Sequence, residues 1–174
     1  MSLINGLPAH ILLVHVVVVL VPLTALALVA AAVWPRAARR LGPLLPVLAL
    51  VSLVSVPLTT EAGEWLERHV DSDALVRRHA ELGDGLLPWA LGLFVLAMVV
   101  WWATRKTAAA AVTGTAQTAP ASTGRWTAMP VRIAVAVLSL AVATGAVIDV
   151  YRIGDSGAKA AWHDGYSKTA NDGS

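Results

Sequence analysis

The sequence predicts an all-α fold, a four-span transmembrane helical bundle with both termini on the outer side. Three observations predict it. Four long apolar segments run through a chain that is 57% apolar and 14% charged. Its mean hydropathy of +0.68 is too high for an ordinary soluble domain. The charges are also sorted. Residues 34–42 and 103–132 hold seven Arg or Lys and no acid, whereas 61–84 and 149–174 hold the other six bases and all eleven acids. Short loops rich in Lys and Arg stay in the cytoplasm, so the acid-bearing stretches and both chain ends face out.

The spans follow in order. The first covers Pro8–Val33, opened by a helix-compatible proline and closed by Trp34-Pro35. The second covers Leu41–Thr60, the third Gly85–Thr104 and the fourth Met129–Tyr151. Each reaches the roughly 20 residues that a bilayer core requires. Trp34, Trp101, Trp102 and Trp126 mark the inner edge, and Trp65, Trp89 and Trp162 lie at or beyond the outer one, as an aromatic belt would place them. Pro22, Pro46, Pro57 and Pro88 each remove a backbone donor and bend their helices. Ser139-x3-Ala143 and Ala141-x3-Gly145 suit close helix contact, and Ser52, Ser55 and Thr59 share one face of the second span. Residues 107–128, rich in Ala, Thr, Gly and Ser, read as a flexible cytoplasmic linker, and 152–174 as an outer tail. The whole chain, 1–174, is one membrane domain. No internal repeat is evident, although a helical hairpin pair is the expected unit of such a bundle.

Composition narrows the chemistry. The absence of cysteine excludes disulfides, Cys-ligated zinc, iron–sulfur clusters held by thiolates and thioether-attached haem. The pI near 9.4 does not indicate nucleic acid, because the basic residues gather at membrane edges as topology determinants. No basic region precedes the first apolar run, so no cleaved signal peptide is expected. Transport lacks support, since no buried charge falls at mid-bilayer and no repeat architecture is visible.

The candidate chemistry lies at the outer end. Ser72 is a good N-cap for a helix that runs on into the third span, and on it Leu75, His79, Leu82 and Leu86 share a face. In the first span Ile11, His15, Val18 and Pro22 form a similar stripe. His10 lies about 7.5 Å up the axis from His15 and about 140° around it, so both cannot aim at one small ion from a regular helix. The pair predicted to meet is therefore His15 with His79, holding a b-type haem. A copper or zinc site would recruit His10, His15, Glu64 and His79, with Glu61 and Glu64 as ligands or as acceptors of a ring N–H. No Glu-x-x-His motif of the carboxylate-bridged di-metal bundles occurs. The competing reading is a structural or accessory subunit whose histidines only bond backbone carbonyls. His69 and His163 read as incidental. Asp149 and Arg152 are spaced for an ion pair at the end of the fourth span, after which Gly154 and Gly157 would let the chain turn back. The expected partners are the bilayer and a redox protein or other membrane subunits, and the sequence alone assigns no enzymatic activity.

Several segments together resemble a known family. GLPAHILLVH followed by VVVLVPL, then PLTTEAGEWLE, RRHAELGD and the tail RIGDSGAKAAW look like the bacterial membrane family called domain of unknown function 2231. The resemblance spans nearly the whole chain outside 107–128. It implies a four-span fold in the bacterial plasma membrane and, because related proteins pair this module with Rieske-type domains, a connection to electron transfer. The residues that match are His10, His15, Glu64, His79 and the segment Gly154–Trp162. One departure stands out: Gly154-Asp155-Ser156-Gly157 replaces the Gly-His-Ser-Gly expected of many members, so a tail histidine ligand is either absent here or supplied by His163.

The charge asymmetry generates a direct test. Cysteines introduced singly at Thr118 and Ser72 into this cysteine-free chain should react with impermeant reagents from opposite sides of the membrane. Labelling of both from one side would overturn the orientation.

Overall fold

The computed structural model describes residues 3–4, 7–68, 74–112 and 123–162. A minimal antiparallel ladder, β1 (Leu3–Ile4) with β2 (Leu7–Pro8), precedes six helices. These are α1 (Ala9–Val33), α2 (Pro35–Leu41), α3 (Leu44–Glu67), α4 (Ala74–Asp84), α5 (Leu86–Val112) and α6 (Thr123–Trp162). Four stretches are long and apolar enough to cross a membrane: Leu12–Val33, Leu44–Trp65, Ala74–Thr107 and Met129–Trp162. Their outward faces are apolar as well. Val19 and Leu26 on α1 are 64% and 70% exposed, a surface suited to lipid rather than water.

Helices α1, α3, α5 and α6 form a ring in that order, with α1 and α5 also touching across the centre. Each contributes a stripe of buried positions spaced four and three apart. They are Val17, Val21, Thr24, Leu28 and Ala31 on α1, and Leu86, Ala90, Leu93, Ala97 and Val100 on α5. On α3 they are Leu45, Ala49, Ser52 and Val56, and on α6 Ser139, Ala143, Ala146 and Val150. This spacing keeps one face on the neighbours. Lipid tails are as apolar as these side chains, so close backbone approach and hydrogen bonds must hold the helices together. Both occur. Thr24 and Ser52 share a 2.7 Å hydroxyl–hydroxyl bond between α1 and α3. A Cβ on Gly145 of α6 would overlap the ring of Trp89 on α5, and one on Gly92 would come within 3.0 Å of Val142. The expected polar face of α3 is buried, with Ser55 donating to Ser52 O at 2.8 Å and Thr59 to Ser55 O at 2.7 Å.

The helices depart from the expected spans at several points, each with a local cause. The helix over 74–112 is not continuous: α4 ends at Asp84 and Gly85 forms a turn with its N–H on Leu82 O at 3.2 Å. Pro88 explains the break, because it has no N–H to give Asp84 and its ring crowds that carbonyl. Helix α5 runs to Val112, into the expected linker, through the strong helix formers Ala108–Ala111. Helix α6 likewise begins at Thr123 and continues to Trp162. Gly154 and Gly157 are thus inside a helix and do not turn the chain back. The proposed cap at Ser72 lies outside the described residues. Near the opposite end, Arg105 sits 5.0 Å over Trp101 and Lys106 4.8 Å over Trp102, consistent with cations anchoring an aromatic girdle.

Two substitutions separate the two kinds of adhesion. Gly145→Leu should expel the Trp89 ring and lower the unfolding midpoint in detergent more than any exposed change on α6. Thr24→Val and Ser52→Ala should couple in a double-mutant cycle by about 0.6 kcal/mol, the usual size of a hydrogen bond between membrane helices. Full additivity would mean that the hydroxyl pair holds nothing.

Candidate functional site

At one end of the bundle, α1 begins, α3 ends and α4 lies against α6. His10 is in the first turn of α1, and its Nδ1 lies 3.0 Å from the carbonyl oxygen of Thr59 on α3. His79 on α4 does the same on the other side. Its Nδ1 lies 3.1 Å from Ile153 O and 3.0 Å from Ser156 Oγ, both on α6. Each ring has a helical carbonyl among its acceptors, and the His79 ring N–H is shared between Ile153 O and Ser156 Oγ. Ser156 donates its own proton to Ile153 O at 2.8 Å, so its oxygen too can only accept from the ring.

Reaching a carbonyl inside a helix requires space beside it, and glycine supplies that space twice. Gly63 stands four residues after Thr59, and Gly157 four residues after Ile153. A Cβ at Gly63 would lie 3.0 Å from Cε1 and 3.1 Å from Nδ1 of His10. At Gly157 it would lie 2.9 Å and 3.2 Å from the same atoms of His79. Either methyl would force the ring to shift from its present seat beside the carbonyl.

The two imidazoles meet, with centroids 6.2 Å apart and planes at 86°. A carbonyl cannot donate, so each Nδ1 carries the proton and a neutral ring keeps a lone pair on Nε2. Two imidazoles from different helices pack against each other.

The partner of His79 is thus His10, not His15. His15 is on an exposed part of α1 and makes its own interactions elsewhere. The expected stripe through His15 and Val18 lies on an exposed face, since Val18 is 44% exposed. Stepping back one heptad from Val17, which the structure shows buried, reaches His10. Glu61 and Glu64 are exposed on α3. Among the described residues no three His, Asp or Glu side chains gather so as to hold a metal ion, so the set His10, His15, Glu64 and His79 does not assemble. Asp149 and Arg152 form no salt bridge among the described residues, although the Arg152 charge acts on Asp149. Its Oδ2 is buried without a hydrogen-bond partner, and the ion pair formed on α6 is Lys159 with Asp155 at 2.6 Å. Arg152 is exposed. His69 and His163 lie outside the described residues. The features missed from sequence were His10 as the partner, the two carbonyl acceptors and the two glycines.

A ring of four helices with apolar outer faces and a polar cluster at one end defines an integral, multi-pass membrane protein. Residues 6–170 match the family described as "Predicted membrane protein (DUF2231)", and the chain belongs to that family. Among curated proteins and among solved structures, nothing matches this chain.

Proposed function

We propose that this protein is an electron-transfer component of the bacterial plasma membrane that binds a b-type haem between His10 and His79, at the outer face. The observation that carries the reading is the pair of imidazoles with both Nδ1 atoms committed to carbonyls and centroids 6.2 Å apart. A metal–nitrogen bond is about 2 Å and the ring centre lies about 1.2 Å behind the nitrogen, so two imidazoles on opposite sides of one metal have centres about 6.4 Å apart. A tetrahedral pair would bring them to about 5 Å. The observed 6.2 Å lies closer to the first of these values. Zinc sites need three or four protein ligands, which the described residues do not bring together. Haem asks the protein for only the two axial positions.

The chain's own contributions are to fix and to tune. The carbonyls of Thr59 and Ile153 hold each ring in one orientation and tautomer, and a hydrogen-bonded Nδ1–H makes Nε2 the better donor. Cysteine is absent, which excludes thiolate ligation and thioether attachment. When bound, haem would supply one-electron redox chemistry at this end of the bundle. The charge asymmetry supports an outer position for that end, where a soluble or tethered redox protein would be the partner. A copper ion between the same two nitrogens is the second reading, favoured by the same near-opposed spacing.

Protein expressed with haem supplied should carry a b-type absorption spectrum. His10→Ala and His79→Ala should each abolish it without preventing membrane insertion, since hydropathy alone specifies the spans. His15→Ala should leave it in place. Loss of the spectrum with His15→Ala but not His10→Ala would restore the His15–His79 pairing. Wild-type protein that carries neither chromophore nor stoichiometric metal would favour the structural or accessory subunit.

A further inference from the structure

We infer that the chain is two copies of one hairpin unit related by a pseudo-two-fold axis along the bundle, and that Gly63 and Gly157 are equivalent positioning residues of a single site on that axis. The first unit is α1 with α3, and the second is α4 and α5 with α6. A shift of 69 positions (10 to 79) superposes His10 on His79, and it also carries the α1 stripe from Val17 to Ala31 onto the α5 stripe from Leu86 to Val100. A shift of 94 positions (59 to 153) superposes the carbonyl that holds one ring on the carbonyl that holds the other. That second shift also carries Gly63 onto Gly157 and the α3 stripe from Leu45 to Val56 onto the α6 stripe from Ser139 to Val150.

Buried stripes spaced four and three apart occur in any bundle, so they alone fix a register only to within a heptad. The hydrogen bonds remove the ambiguity. In each unit a histidine one heptad ahead of the first buried position donates through Nδ1 to a helical carbonyl, and the ring rests on a glycine four residues further on. The packing agrees: α1 rests on its own hairpin partner α3 and on α6, and α5 on its partner α6 and on α3, as a two-fold axis requires. The two rings meet across the centre of the ring of helices, where α1 and α5 touch.

A site on such an axis offers the same donor from both sides. It suits one metal centre with two equivalent nitrogen ligands, whether iron in a planar macrocycle or a bare ion, and does not suit a ligand with two different ends. This ligand class rests on the haem reading above, whereas the repeat does not.

Full-length protein in nanodiscs, labelled with nitrogen-15 at histidine, provides the test. Without added ligand, His10 and His79 should both report protonated Nδ1 and unprotonated Nε2. Gly63→Ala should perturb the His10 signals and Gly157→Ala those of His79 to a similar extent, while Gly154→Ala, whose Cβ meets nothing within 4 Å, should move neither. On adding haem, or copper without haem, the two glycine variants should each lose affinity by about tenfold, within a few-fold of one another. The haem and copper arms identify the source of the metal. Opposite tautomers for the two rings, or a large effect from one glycine and none from the other, would overturn the inference. If either variant fails to insert, the tautomer comparison in the unmodified chain decides. Matched rings with no binding of either ligand would sink the haem reading and leave the repeat standing.

Discussion

Inside a membrane a polar hydrogen has no water to turn to, so each donor must find its acceptor within the protein. That constraint organises this chain from the backbone outward. It makes every span a helix. It also sends the hydroxyls of Ser55 and Thr59 back to carbonyls three and four residues earlier on their own helix. At the end of the bundle it draws the ring N–H of His10 and His79 onto carbonyls of neighbouring helices.

The last of these has a chemical consequence. An imidazole has two nitrogens, and fixing the proton on one leaves the lone pair on the other. The bonds that satisfy the histidines structurally therefore also prepare them as ligands, so the structural and cofactor readings share one geometry. What separates them is the relation between the rings. Two histidines that satisfied the backbone separately could lie far apart, whereas these rings are 6.2 Å apart after starting from different helices. The exceptions to satisfaction are informative too. Asp149 Oδ2 and Ser139 Oγ on α6 are buried with no protein partner.

Much of the fold was legible because membrane helices are written in composition. The four spans came from hydropathy, and α1 agrees with its expected start and end within a residue. The break at Gly85 was less visible, though Pro88 announced it. The lengths of α5 and α6 were underestimated because apolar content marks where lipid begins and ends, not where a helix does. At the site, His79 was found by its stripe, but His15 was preferred to His10 because a run of valines makes every face of α1 look apolar. Residues 11–23 contain no polar contrast except His15 itself, so the helical wheel had nothing to orient it. The carbonyl acceptors could not have been read at all, since a backbone oxygen has no letter in the sequence.

The same limit hid the repeat, and the difference between the halves shows what was retained. The first hairpin is tied by the Thr24–Ser52 hydroxyl bond. At the superposed positions the second hairpin has Leu93 and Ala146, which can form no such bond. It is held by close approach instead, with Trp89 seated on Gly145 and Val142 against Gly92. The acceptor residues differ as well, Thr59 in one half and Ile153 in the other, because the backbone oxygen and not the side chain does the accepting. The two halves thus use different means to bind helix to helix and keep only the parts that place an imidazole: a histidine, a carbonyl at a fixed register and a glycine beside it. Adhesion between helices has many solutions, so its residues could drift independently. A ring that must reach a particular carbonyl past a neighbouring residue has one, and that is the part both halves share.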